Sequence, residues 1–218
     1  MEKFLEFCQS RYQDELEQRL TLSNIICWGI FILSWHSLYK LKSPSLICAL
    51  NQINVKYITD LDAGIIPMLT ISELAISILF TASILWLSKK ISAGLFYLFT
   101  LKGDFGKLII DITNKFNSNT SPDLLEKNAL PHLEKNQKKL RRSRSLSTIA
   151  LALSACALLN LSFNLENLTL TFLGLLFFIV NTWRSFHFFI EEVLPYFIAA
   201  KYTTGEISDI YDSYNASC

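Results

Sequence analysis

The chain has 218 residues, 51% of them hydrophobic and 18% charged, with a net charge of +1 and a mean hydropathy of +0.32. Soluble domains carry about a quarter charged residues, and only 7 Gly, 5 Pro and 5 Cys exclude disordered, collagen-like and disulfide-scaffold chains. The apolar residues fall in long runs, which marks an all-α integral membrane protein.

The first 20 residues carry five acids and three bases before any apolar run, so no signal peptide is expected there. Residues 1–19 read as an amphipathic helix, with Phe4, Cys8, Tyr12, Leu16 and Leu20 at four-residue steps. This helix is expected to lie on the membrane or to pack on a neighbour.

Crossing about 30 Å of hydrocarbon takes about 20 apolar residues, and four segments qualify. Within 20–88 lie the first two, at about 20–41 and 65–87, the second interrupted only by Pro67 near its outer end. The third and fourth, at about 146–163 and 165–183, form a helical hairpin with a tight connection at Asn164–Asn167. Ala150, Ser154 and Ala157 give the third span a small-residue stripe suited to close packing.

The segment 89–145 holds twelve of the twenty Lys and Arg against five acids, so it is expected to be cytoplasmic. Four spans then place both termini on the cytoplasmic side. The segment opens with ISAGLFYLFTL (residues 91–101), which either extends span two or lies in the interface. A polar stretch at 114–122 marks a hinge, and 123–145 read as one or two helices interrupted by Pro131. The remaining residues, 184–218, read as an amphipathic extension of span four followed by an acidic, Tyr-rich tail from Glu206.

Three constellations carry candidate function. In span two, Thr70, Glu73, Ser77, Thr81 and Ser88 fall within an arc of about 80° at helical spacing. A carboxylate near the bilayer centre costs about 2.5–3.5 kcal/mol, so Glu73 must face protein or water. The stripe suits a pore or cavity lining, a helix–helix interface, or a proton relay. At the end of span four, Asn181, Arg184, His187, Glu191 and Glu192 share one side, with Arg184, His187 and Glu191 spaced as a ladder. They suit a gate or vestibule, or simply the solvated face of a helix leaving the membrane. Lys135, Lys138, Lys139, Arg141, Arg142 and Arg144 form a basic run that suits contact with anionic membrane lipid or an acidic cytoplasmic partner. Nucleic-acid binding lacks the aromatic interleaving it needs.

Phosphate-cradling, nucleophile-elbow, zinc-protease and EF-hand patterns are absent, so no catalytic residue, metal site or cofactor is expected. Four short helices leave no aqueous path through one subunit. The leading expectation is therefore a homo-oligomeric channel or pore-forming effector of the bacterial inner membrane, with span two lining the ion path. The alternative is a non-conducting sensor or scaffold that recruits a cytoplasmic effector protein through the basic segment and tail. In span count, size and topology alone, the plan resembles small four-span membrane proteins of bacterial phage defence and colicin immunity. That resemblance implies a defence role.

Overall fold

The computed structural model describes residues 8–12, 22–39, 42, 45–54, 58, 60, 62, 64, 65, 67–101, 122–159 and 164–197. Phe4, Leu16, Leu20, the stretch 114–121 and the tail from Glu206 lie outside the described residues. Every described element is helical: α1 (Leu22–Tyr39), α2 (Leu46–Gln52), α3 (Ile71–Leu101), α4 (Pro122–Leu159) and α5 (Leu165–Phe188). A π-helical turn, Phe189–Val193, continues α5, and residues 194–197 are helical again. Among the described residues, three helical stretches are long and apolar enough to cross a membrane: Leu22–Tyr39, Ile71–Leu98 and Leu165–Phe197. The expected third span is the end of α4, which begins 24 residues earlier in polar sequence.

Boundaries differ from the expected ones for local reasons. Helix α3 starts at Ile71 and not at 65, because Pro67 lacks the N–H a helix interior needs and Thr70 caps the first turn. It then runs unbroken through Leu101, so the 91–101 stretch continues the same helix. Helix α4 is also single. Pro131 lies inside it without ending it. Residues 165–167 of the expected Asn164–Asn167 connection are already helical, since α5 begins at Leu165 and the Leu168 N–H bonds the Asn164 carbonyl at 3.1 Å. Glu166 in that first turn complements the helix dipole.

The chain divides into two compact units. One comprises 19–88 and 145–181. Its core gathers Phe31, Leu46 and Cys156, with Ile30, Trp35, Phe80 and Leu170 packed around them. Phe31 stacks on Phe80 at 4.2 Å between ring centroids, joining α1 to α3. The short helix α2 was not foreseen. Ser45 caps it by accepting from the Cys48 N–H at 3.1 Å, while the buried Asn167 side chain of α5 accepts from the Leu46 N–H at 3.2 Å. Both bonds satisfy helix-end donors that would otherwise be orphaned.

The other unit comprises 1–18, 89–144 and 182–218. Cys8 and Tyr12 from the N-terminal segment, Phe96 from α3, Leu133 and Leu140 from α4, and Phe186 onward from α5 make its core. The N-terminal amphipathic segment thus packs into protein, at least over 8–12. Tyr12 stacks on Phe96 at 4.9 Å and meets Phe189 edge-on at 5.0 Å. Such aromatic pairs add about 0.5–1.5 kcal/mol each beyond area burial.

Gly174 sets how closely α4 and α5 approach. A Cβ there would collide with the Ser154 hydroxyl and sit 3.0 Å from the Ala150 carbonyl oxygen, two members of the expected small-residue stripe. Gly174→Ala is expected to cost about 1–3 kcal/mol by overpacking. The loss should appear as a lower thermal-unfolding midpoint in detergent, partly restored by Ser154→Ala.

Candidate functional site

The polar stripe of α3 resolves into two different things. Thr70 and Glu73 form a reciprocal cap: the Thr70 N–H donates to Glu73 Oε2 at 2.8 Å, and the Glu73 N–H donates to Thr70 Oγ1 at 3.3 Å. This is the T-x-x-E capping box. Glu73 therefore stands in the first turn of the helix, not nine residues into it, and its carboxylate serves a helix end. Ser77, Thr81 and Ser88 lie further along and are only 1%, 8% and 5% exposed within a single chain. The Trp28 indole N–H of α1 donates to Ser77 Oγ at 2.7 Å. Ser88 and Thr148 of α4 share a hydroxyl–hydroxyl bond at 3.3 Å. Thr81 donates to the Ser77 carbonyl at 2.8 Å. The exposed circumference of the same helix is mostly apolar, with Ile71, Leu74, Ile78, Leu79 and Trp86, interrupted by exposed Ser72 and Ser83.

The residues at the end of α5 separate similarly. Asn181 turns inward and donates its amide to Ser147 Oγ at 2.6 Å. Arg184, His187, Glu191 and Glu192 are exposed. His187 Nδ1 lies 3.8 Å from Glu191 Oε1, and its ring meets Trp183 edge-on at 4.6 Å. Of the expected three-residue ladder, only this rung forms among the described residues.

The π-helical turn sits beside this group. The Leu194 N–H reaches back to the Phe189 carbonyl, the five-residue spacing that defines it. Asn136 of α4 donates to the Glu192 carbonyl at 3.0 Å and lies 3.4 Å from its carboxylate, so a side chain from another helix attends the widened turn. Periodicity gives no hint of this pairing.

The basic run is split by helix geometry. Lys135, Lys138, Lys139 and Arg142 fall within about 100° of one another around α4 and are exposed, as is Arg141 beside them. Lys139 lies over the Phe188 ring at 4.8 Å. Arg144 points the other way. It is 5% exposed and cannot act as a surface contact. Its guanidinium donates to the Tyr12 hydroxyl at 3.3 Å and lies 5.7 Å from that ring. Burial lowers the Arg144 pKa and raises that of Tyr12, with their mutual interaction opposing each shift. The arginine thereby ties the N-terminal segment to α4, a role that sequence order conceals but a helical projection reveals. Leu133, Leu140 and Arg144 lie within about 40° of one another.

Among the described residues, no group of three His, Cys, Asp or Glu side chains is placed to hold a metal ion. No family model, curated protein or solved structure matches this chain.

Two outcomes follow. Thr70→Ala should cost about 1 kcal/mol, whereas Glu73→Gln keeps an acceptor at the cap and should leave the unfolding midpoint within about a degree of wild type. Burial also holds the Cys8 thiol up at about 12, against 9.0 unperturbed. A raised acid pKa favours the folded state while the thiol is protonated. That contribution is complete below pH 9 and lost as pH climbs towards 12. Maleimide labelling of Cys8 at pH 8 should therefore be slow in the folded chain and fast once it is unfolded, and equal rates would contradict the burial.

Proposed function

We propose that the chain is a non-conducting, four-span scaffold or sensor of the bacterial inner membrane, which recruits a cytoplasmic protein partner through its basic segment. The observation that carries this reading is the internal use of the α3 stripe. Ser77 and Ser88 are bonded to α1 and α4 of their own chain, while lipid-compatible side chains cover the outside. A pore shared between subunits needs polar groups on the outer surface of each, and the stripe does not supply them. Homo-oligomeric channel formation, the leading expectation from sequence, loses its lining residues on this account.

In this reading the end of α4 crosses the membrane as the third span, beside the three apolar helices. Its charged beginning, the Tyr12–Phe96–Phe189 core and the end of α5 stand in the cytoplasm. The excess of Lys and Arg in 89–145 supports that orientation. Lys135 and Lys138 belong to its exposed face, about 16 and 12 Å along the helix axis from Leu146 at 1.5 Å per residue. With about 5–8 Å of that taken up by the headgroup layer, Lys135 stands about a Debye length of 8 Å or more from lipid charge, which leaves this end of the face to a soluble, acidic partner. The recruitment of an effector also accords with a defence role.

Cells expressing the chain should keep their membrane potential, read with a voltage-sensitive dye; depolarisation would return the reading to a channel. Reporter fusions after Lys135 and after Asn54 should report the cytoplasm and the opposite side respectively, and a shared side would refute the four-span plan. Lys135→Glu with Lys138→Glu should remove a partner that wild type retains on purification from its host. Retention would exclude this face from docking.

A further inference from the structure

Three helices change their exposed side chains in the same manner. Along α3, exposed Trp86 and Leu87 give way to Lys89 and Lys90. Along α5, exposed Ile179, Val180 and Trp183 give way to Arg184. Along α4, read backwards from the exposed Leu146, the next exposed residues are Arg142 and Arg141. Contacts inside the second unit bring two of these transitions to one level. Ser143 and Ser185 share a hydroxyl–hydroxyl bond at 3.1 Å, so in an antiparallel pair Arg142 stands within about two residues, or about 3 Å, of Arg184 along the axis.

The geometry points to a collar that binds the headgroups of anionic phospholipids, built from Lys90, Arg141, Arg142 and Arg184 with Trp183 as its aromatic anchor. Arg142 lies four residues from Leu146, about 6 Å along the helix, and the headgroup layer is about 5–8 Å thick per leaflet. Trp183 is half exposed, which suits an indole at the interface. A guanidinium presents a planar fork of donors that matches phosphate, and three of the four cations are arginines. Lipid is favoured over an acidic protein as the occupant, because Lys90, Arg142 and Arg184 each adjoin exposed apolar side chains one helical turn away (Trp86 and Leu87, Leu146, and Val180 respectively), which only acyl chains can cover. The Lys135–Lys138 face has no such neighbours in its helical register. The collar rests on the proposed membrane crossing of α4 beside α3 and α5, and is independent of what the scaffold recruits.

Native mass spectrometry of the full chain in detergent tests the collar, with phosphatidylglycerol or phosphatidylcholine of matched acyl length added after delipidation. Wild type should retain phosphatidylglycerol preferentially. The preference should fall by about five-fold per arginine removed, in Arg142→Gln and further in Arg141→Gln/Arg142→Gln/Arg184→Gln, given the usual strength of one surface cation. Lys135→Gln/Lys138→Gln should retain it, and all variants should stay monodisperse because every altered side chain is exposed. Equal retention of both lipids by wild type would overturn the collar. So would a preference that survives the triple substitution, or an equal loss in the lysine pair, which would reduce the preference to the net positive charge of the whole basic face.

Discussion

Helix length is the constraint on which the rest of this molecule depends. About 20 residues suffice to cross a bilayer, yet the apolar helix α3 has 31 and α5 with its continuation reaches Phe197, and α4 beside them has 38. The residues in excess are not uniformly polar. Phe96, Leu133, Leu140, Phe189 and Leu194 recur on one side of their helices and must bury that side against protein. A second core follows from this surplus, and the N-terminal segment completes it by inserting Tyr12 between Phe96 and Phe189. Arg144 belongs to that core. A buried guanidinium is costly unless its donors find partners, and the Tyr12 hydroxyl is one of them.

The other core obeys a different rule. Between largely apolar helices few other partners are at hand, so hydroxyls, amides and indole N–H groups turn towards one another. Trp28 with Ser77, Ser88 with Thr148, Asn181 with Ser147, and Asn167 with the start of α2 are four instances. Each also fixes which face of a helix meets its neighbour, something Leu and Ile alone specify weakly. Gly174 against Ser154 and Ala150 adds a steric version of the same selectivity.

Much of the fold was legible in the sequence. The apolar runs marked the helices, and the four-residue repeat of Cys8 and Tyr12 marked a buried face. Candidate sites were harder to read, because a helical stripe says which residues share a face but not what the face meets. Helical spacing puts Ser77, Thr81 and Ser88 on one face, and only the structure places α1 against Ser77 and α4 against Ser88. Hydropathy puts Glu73 well inside an apolar run and does not see the capping box that starts the helix at Ile71, although Thr70 and Glu73 stand at its three-residue spacing. Arg144 was grouped with its neighbours in sequence, when a projection around α4 puts it opposite Lys135. Nothing in the sequence marks the partnership of Asn136 with Glu192, since it joins residues 56 apart.

The widened turn at Phe189–Val193 has a consequence for how this chain can vary. A π-helical turn is an α-helix carrying one residue too many. Losing one residue there would restore regular geometry and leave Leu194 and Phe197 still facing the core. A loss elsewhere in α5 would rotate everything beyond it by about 100°, carrying Phe186 and Phe189 out of their pocket. The turn is thus a stretch of this helix where its length can change by a single residue without scrambling its faces.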